Sequence, residues 1–454
     1  MVKYTSQYQT KIIEFGTLRH LNLNEQNRWI QLGFCLPWDE LVKIYSKRFS
    51  DSGAGTINPR YVIGAFIIKH IDNYTDDGTI QIISENPYMQ FFLGLEDFTP
   101  ERLFSPTLFV ELRKRLGLDC FNEFTDLLIK QCFPHKIKKA SEGKSLPNKG
   151  KLKLDATVAD QYISYPTDLN LLNEGRQKLE AIIDELYEHV RLHYKAKPRT
   201  YRRTAHKKYL TESKKRQTNP KTLRSAIRFM LNCLDRNLKY INEMLALLKQ
   251  NPLKEKQMDQ IAVIEKLNKQ QRKMYDEKTN RCDDRIVSIS QPHVRPIKRG
   301  KKGRKTEFGS KLGLMLMLGF TKLGNLKWDA YNESADLIVL AKAYKELFGY
   351  YPELIQIDKI YGTNENRKWC KANDIRLTVS SKGPKKKLSA YENKKRKKEY
   401  AERNAVEGKI GQAKQGYRLN QVKAKLKETS ECWIACTLFV TNIVRFAELN
   451  GFCI

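Results

Sequence analysis

The sequence predicts an α/β domain that carries a helical insertion and follows an α-helical N-terminal domain. Three observations support this fold class. Apolar residues recur at helical spacing in the first 135 residues, strand and helix patterns alternate from about residue 306, and a long helical block separates the first strand from the later ones. At 454 residues the chain exceeds the size at which one hydrophobic core stops growing, so two or three domains are expected.

Residues 1–135 are predicted to be helical. Pro59 opens the segment PRYVIGAFIIKHID, and FSPTLFVELRKRLG offers Ser105 as N-cap with Pro106 at the first helical position. Helices of this kind fit a helix-turn-helix-like unit that reads DNA and fit an ordinary dimerisation domain equally well. The sequence therefore predicts a DNA-binding or dimerisation role for this part without choosing between them.

A basic linker at 136–150 leads to the first strand, KLKLDATVAD. Leu152 and Leu154 face one side of this strand, whereas Asp155 faces the other and projects from an otherwise buried element. Asp168, in YPTD, is predicted to cap the long helix that follows. We assign residues 151–454 to the α/β domain and a mainly helical insertion to about 168–290.

From about residue 306 the pattern becomes that of an α/β sheet. The segments KLGLMLMLGF and NLKWDAY read as a hairpin-like pair, SADLIVLAKAYKELFG as a helix, and PELIQID as a short buried strand that ends at Asp358. Sites in open α/β sheets gather at the carboxyl ends of strands, which is where Asp358 is expected.

Composition points to a polyanionic partner. The 83 Lys and Arg residues outnumber the 51 Asp and Glu, giving a formal net charge of +32, which favours nucleic acid over a small metabolite. A basic scaffold such as a ribosome-associated factor is the alternative. The nine cysteines lack zinc-site or disulfide spacing and the N-terminus lacks a signal-peptide core, so we expect a soluble cytoplasmic protein.

Two basic runs, 381–400 and 295–305, flank the acids in the sequence. Such runs form either a solvated surface or a phosphate-gripping loop, and their position favours the second. The candidate DNA contacts in these runs are Lys394, Lys395, Arg396, Arg299 and Arg304.

Three acids come from separate elements: Asp155, Asp358 and Glu407, the last on a probable helix in YAERNAVEGKIGQAK. Carboxylates are the ligands that Mg²⁺ prefers, and phosphodiester cleavage by two metals needs carboxylates that share and flank the ions. Asp160, five residues after Asp155, is a rival for the first acid. By spacing alone each of the three acids is a weak candidate, since strand-end Asp residues commonly cap turns and helical Glu residues commonly face water.

The sequence resembles the DDE transposases of bacterial insertion sequences, in the group that includes insertion sequence five. The resemblance rests on LDATVAD with the following YPTDLNLLNEGR, on RPIKRGKKGRKTEFGSKLGL, and on AVEGKIGQAKQGYRL. Its most specific part is a spaced signature of Tyr400, Arg403, Glu407 and Lys414, which matches the Tyr-Arg-Glu-Lys signature of related transposases.

This resemblance implies an RNase H-like catalytic domain in which Asp155, Asp358 and Glu407 hold two Mg²⁺ or Mn²⁺ ions. It implies that Arg403 and Lys414 hold the phosphate backbone of the element's end and that Tyr400 packs on a sugar or base. The expected function is binding of terminal inverted repeats, metal-dependent cleavage and strand transfer by a homodimer or larger assembly on double-stranded DNA. An RNase H-like nuclease without strand transfer and a non-catalytic, transposase-derived DNA-binding protein are the alternatives.

Overall fold

The computed structural model describes residue 4 and residues 22–50, 57–133, 147–217, 219–298, 306–379 and 389–452. The chain divides into two compact units. The first comprises residues 1–160, 311–327 and 331–454, and the second comprises residues 161–310 and 328–330.

The N-terminal part of the first unit is helical. Its helices are α1 (Arg28–Cys35), α2 (Trp38–Ser46), α3 (Pro59–Ile71), α4 (Asp76–Glu85), α5 (Pro87–Leu93) and α6 (Leu108–Cys132). Helix α3 begins at Pro59, as expected, with Asn58 as its N-cap.

Helix α6 begins at Leu108, later than the sequence indicated. Ser105 is not its N-cap: the carbonyl of Ser105 accepts from the amide of Leu108, and its hydroxyl bonds that of Thr107, so a tight turn precedes the helix. The helix is interrupted at Gly117, whose φ of +62° lies in the left-handed region that glycine adopts readily.

A mixed sheet forms the centre of the first unit. Besides the N-terminal helices, the first unit contains the following strands and helices: β1 (Lys151–Asp160), β3 (Thr306–Met317, of which the residues from Lys311 belong to this unit), β4 (Phe320–Lys327), α11 (Asp336–Phe348), β5 (Leu354–Gln356), α12 (Asn364–Ala372), β6 (Arg376–Leu377), α13 (Ala390–Gln415) and α14 (Lys427–Leu449). The strands follow the order β3, β1, β5, β6, and β4 pairs with β3. Strand β5 pairs in parallel with β1 and β6, whereas β3 and β4 are antiparallel.

The hairpin expected after residue 306 is confirmed by β3 and β4. Its two-residue tip, Leu318 and Gly319, has φ values of +54° and +90°, the backbone that favours tight hairpins with the right-handed strand twist. The strand expected to end at Asp358 is present as β5, which is buried at all three residues.

Helix α14 packs in the core of this unit. The ring of Phe439 lies 5.9 Å from Phe121 and 5.2 Å from Phe124 of α6, measured between centroids. In length and composition α14 resembles a membrane span, but 78% of its most apolar window is buried within the fold, the pattern of a soluble core helix. This helix therefore does not indicate a membrane protein.

The second unit is a helical body with its own apolar core. It contains α7 (Asp168–Val190), α8 (Arg202–Ser213), α9 (Pro220–Ala246), α10 (Glu255–Asp276), β2 (Arg295–Lys298) and the first residues of β3, which pair with β2. Thr167, not Asp168, caps α7: its hydroxyl accepts from the amide of Asn170 at 3.2 Å. Asp168 is instead the first helical residue, and its carboxylate pairs with Arg285 at 2.5 Å.

Candidate functional site

The parallel pairing of β1 with β5 relates the first two acids. Lys151 is level with Leu354, and Lys153 is level with Gln356. Continued two residues beyond these pairs, the register would set Asp155 of β1 opposite Asp358, which follows Gln356, the last residue of β5, by two residues. Because neighbouring strands lie about 4.8 Å apart, a register continued in this way would bring both acids onto adjacent segments of the sheet.

The carboxylates of these two acids each accept a local backbone hydrogen bond. The amide of Ala156 donates to Oδ1 of Asp155 at 2.8 Å, and the amide of Lys359 donates to Oδ1 of Asp358 at 2.6 Å. Asp358 thereby caps a short 3₁₀ turn and is exposed, whereas Asp155 is half-buried. A carboxylate accepts at about four lone-pair positions, so one such bond is compatible with cation binding.

Glu407 lies on α13, as the sequence predicted for the segment from Tyr400 to Lys414. Its side chain is 54% exposed, and its Oε1 accepts from Nη2 of Arg403 at 3.0 Å. The Arg403 side chain is only 10% exposed, and its guanidinium lies 5.8 Å from the ring centre of Tyr400. Arg403 is therefore a largely buried partner of the third acid.

Several polar contacts fix α13 on the sheet. Lys151 donates to Glu402 at 2.6 Å, Gln356 donates to the carbonyl of Glu399 at 2.7 Å, and Arg376 of β6 forms a two-pronged ion pair with Glu399 at 2.6 and 2.8 Å. We call these five residues the α13 network. The hydrogen bonds from Arg376 hold the pKa of Glu399 below its usual value, so this carboxylate stays charged.

These contacts also fix the position of Glu407 along the direction of β1. Glu402 of α13 meets Lys151 near the start of β1, and Ala413 of α13 belongs to the same apolar cluster as Ala159 near the end of β1. Glu407 lies between these two points on the helix, as Asp155 lies between them on the strand.

Sequence reasoning missed Tyr361 and two acids near it, Glu333 and Asp336. Burial, and then the negative charge of Asp155, Glu333 and Asp336, raises the pKa of Tyr361 well above its ordinary value. Tyr361 is 1% exposed and follows Asp358 by three residues. The only sequence signal is its position directly after the strand that carries an acid, which does not separate it from an ordinary core tyrosine.

Four of the six expected DNA contacts on α13 lie in its exposed N-terminal half. Lys394, Lys395 and Arg396 are exposed, and they follow an N-terminus where Ser389 and Glu392 form a capping box. Tyr400 is 41% exposed and lines an open groove along the helix with Arg396, Lys397 and Asn404. Lys414 is half-buried near the end of the helix.

Two of the expected DNA contacts, Arg299 and Arg304, lie outside the described residues. Residues 381–388 of the basic run 381–400 also lie outside them.

The donor set of the three acids suits a hard divalent cation, because Mg²⁺ and Mn²⁺ prefer carboxylate oxygens. Within the described ranges, no group of three His, Cys, Asp or Glu side chains is already arranged to hold a metal ion. The register of β1 and β5, continued past Gln356, would set the first two acids opposite one another, whereas the carboxylate of Glu407 accepts from Arg403. Coordination of a cation by Glu407 would therefore compete with its ion pair to Arg403.

Two parts of the chain match families of known proteins. Residues 355–444 match the family described as "Transposase DDE domain", and residues 18–115 match one described as "Transposase domain (DUF772)". The first match contains most of β5, Asp358 and the whole of α13 with Glu407. The second contains α1 to α5 and the start of α6.

The chain is also similar to a protein of Rhizobium meliloti described as "Uncharacterized protein ORF8 in nfe locus". The two are 24% identical over 158 residues, which cover 35% of this chain and 73% of that protein. No solved structure matches the chain significantly.

Proposed function

The two family matches indicate an insertion-sequence DDE transposase, and from this premise we propose that the chain binds the terminal inverted repeats of its element, cleaves them and joins the freed 3′ ends to target DNA. The proposal is supported by the parallel pairing of β1 with β5, a register that would set Asp155 opposite Asp358 if continued two residues past Gln356. The DDE-domain match covers Asp358 and Glu407, so it supports two of the three acids by family and leaves Asp155 to the strand register.

The catalytic domain is proposed to be RNase H-like. A mixed sheet with an antiparallel hairpin on one side of β1 and parallel strands on the other supports this assignment. The placement of the chain in the group of insertion sequence five, with its Tyr-Arg-Glu-Lys signature, remains a prediction.

Asp155, Asp358 and Glu407 are the residues that would hold two Mg²⁺ or Mn²⁺ ions. Two bound ions supply activation of the attacking oxygen and stabilisation of the leaving oxygen of the phosphodiester. The chain's own contribution would be to present the three carboxylates from β1, from the residues that follow β5 and from α13.

The exposed half of α13 is proposed to bind the DNA backbone. Lys394, Lys395 and Arg396 supply positive charge, and Tyr400 offers an exposed ring beside them. Lys414 belongs to the same proposed set of contacts, as do Arg299 and Arg304, which lie outside the described residues. Arg403 is the exception, because its guanidinium is mostly buried against Glu407 and Tyr400.

The decisive experiment uses the full chain and DNA that carries both ends of its element, with Mg²⁺ or Mn²⁺. Asp155→Asn, Asp358→Asn and Glu407→Gln should each reduce cleavage by at least about 1000-fold while end binding persists. Asp160→Asn is the matched control, because Asp160 is the rival acid on the same strand. Full cleavage by all three variants would end the proposal, and loss of cleavage in Asp160→Asn with full cleavage by Asp155→Asn would transfer the first role to Asp160.

A joining assay with paired end substrates and a target plasmid separates the proposal from its alternatives. Cleavage without joined products would indicate an RNase H-like nuclease, and binding without cleavage would indicate a DNA-binding protein derived from a transposase. We expect a homodimer or larger assembly acting on double-stranded DNA in the bacterial cytoplasm. Sedimentation with paired ends tests the assembly.

A further inference from the structure

We propose that Gln356 is a positioning residue that fixes α13 on the sheet and thereby sets the place of Glu407 relative to Asp155 and Asp358. Its consequence for the reaction rests on the proposed function. The contact between β5 and α13 can be tested without it.

Gln356 is unusual for its position in the fold. It is the last residue of a short central strand, it is 0% exposed, and apolar residues fill the rest of ELIQI after the first glutamate. A buried amide loses its bonds to water and therefore costs stability unless the protein supplies partners. A glutamine at such a place thus indicates a specific polar contact.

The partners of Gln356 define the orientation of its amide. Its nitrogen lies 2.7 Å from the carbonyl oxygen of Glu399 and 3.4 Å from a carboxylate oxygen of Glu402, both on α13. Both partners only accept hydrogen bonds, so the group that faces the helix is the NH₂ and not the amide oxygen. The bond to Glu399 is to the main chain, so it fixes the helix itself and not merely one flexible side chain.

This contact connects two of the three proposed catalytic acids. Gln356 precedes Asp358 by two residues in the sequence, and Glu399 precedes Glu407 by eight residues on the helix. Eight helical residues span about 12 Å, a distance over which a helix behaves as a rigid rod. A slip or rotation of α13 at Glu399 would therefore move Glu407, whereas Asp358 would stay with the strand.

The surrounding ion pairs support the same placement but are more open to water. The Lys151 side chain is 50% exposed in its pair with Glu402, and the Arg376 side chain is 44% exposed in its pair with Glu399. Exposed pairs contribute little because solvent screens them. The buried bond from Gln356 is therefore the member of the α13 network on which the position of the helix depends most.

The test replaces Gln356 by methionine, which keeps the length and the packing but removes the NH₂ donor. Gln90→Met is the matched control, because Gln90 is also 0% exposed and its NH₂ also donates to main-chain carbonyls, at 2.9 Å to Ile83 and 2.7 Å to Thr99. Gln90 belongs to α5, so its substitution carries the same chemical change into the N-terminal helices.

Two measurements on each variant decide the inference. Hydrogen exchange of the amides from 399 to 407 should become at least about tenfold faster in Gln356→Met and stay unchanged in Gln90→Met. In cleavage assays Gln356→Met should lower kcat by about 10- to 100-fold and raise the metal concentration for half-maximal cleavage several-fold, with DNA affinity within about twofold. Thermal unfolding and end binding establish that each variant is folded.

The outcomes separate the two proposals. Unchanged exchange in α13 would overturn the bracing role of Gln356 whatever the activity is. Faster exchange with unchanged kcat and metal dependence would overturn its positioning role in the reaction. A wild-type chain that neither cleaves nor joins DNA would refute the proposed function, while the exchange data would still decide whether Gln356 holds α13.

Discussion

Two polar networks within the first unit differ in how far they are closed to water. The α13 network joins helix and sheet through pairs whose cations are half exposed. The second network, which we call the Lys69 cluster, consists of Lys69, Asp76 and Arg113 in the N-terminal helices. There the two cations are 2% and 3% exposed, and both lie over the ring of Trp433, at 4.7 and 5.2 Å.

This difference in exposure distinguishes residues expected to affect binding or catalysis from residues expected to affect stability. In the Lys69 cluster a single carboxylate neutralises two buried cations, so loss of that carboxylate leaves charges with no access to water. In the α13 network the cations are half exposed and can exchange partners with solvent, which suits a helix proposed to present Glu407 to ligands. Substitutions in the Lys69 cluster should therefore change stability, and substitutions near the α13 network should change binding or catalysis.

The largest effect on stability is expected from Asp76→Asn. Burial raises the pKa of Asp76, but hydrogen bonds and charge from Arg113 and Lys69 outweigh it, so the net pKa lies below its usual value. Removing the charge should lower the free energy of unfolding by about 3 kcal/mol. Urea unfolding measures this change.

Asp72→Asn is the matched control for Asp76→Asn. Asp72 also pairs with an arginine, Arg28, but the Arg28 side chain is 43% exposed, so the expected loss is below about 1 kcal/mol. An equal loss of unfolding free energy in the two variants would contradict the proposed difference between buried and exposed ion pairs. End cleavage below the unfolding temperature should be unchanged in both.

The next largest effect concerns the exposed end of α13. The triple variant Lys394→Gln, Lys395→Gln, Arg396→Gln should weaken binding to any double-stranded DNA. It should also reduce the salt dependence of binding by about 0.9 in the log–log slope for each phosphate that the variant no longer neutralises. Fluorescence anisotropy across a salt series measures this slope. Glu407→Gln is the control, because it alters no cation and should leave the slope unchanged.

Local structure is predictable from this sequence where short-range periodicity determines it. The hairpin of β3 and β4, helix α11 and helix α13 follow from patterns within about 25 residues. The register of β1 against β5 is not predictable in this way, because it joins residues about 200 positions apart and depends on packing of the whole sheet. Sequence reasoning therefore identifies the three acids as separate candidates and leaves their distances open.

The buried polar residues were invisible to the same reasoning. Lys69, in GAFIIKHID, reads as the solvent side of a helix, and Gln356, in ELIQI, reads as a single polar interruption of a strand. Both are buried because partners arrive from other elements: Asp76 and Trp433 for Lys69, and α13 for Gln356. Helix starts at Ser105 and Asp168 failed for a similar reason, since each side chain is engaged by another group.

A smaller effect is expected from Arg403→Gln. This variant tests whether Arg403 binds the DNA backbone or orients the carboxylate of Glu407. Because Arg403 is buried against Glu407, the variant should leave the salt slope of DNA binding unchanged. It should lower kcat for cleavage by about tenfold through loss of orientation and lower the metal concentration for half-maximal cleavage, since a cation next to the carboxylate is removed. A reduced salt slope would instead support the phosphate contact implied by the transposase signature.

The last effect concerns the pH dependence of stability, and it tests the Lys69 cluster again. Burial lowers the pKa of Lys69 from 10.5 to about 8, against the opposing charge of Asp76. Between pH 8 and 10.5 the unfolded chain therefore binds more protons at this residue than the folded chain, so this group makes the free energy of unfolding rise with pH.

In Lys69→Met that contribution disappears. The free energy of unfolding of the wild type, minus that of the variant, should therefore increase with pH across this range. Urea unfolding of both proteins from about pH 7.5 to about pH 10 measures the difference, in which the other titrating groups cancel. A difference that stays constant with pH would mean that Lys69 titrates as an exposed lysine does, and that the cluster is more open to water than its contacts indicate.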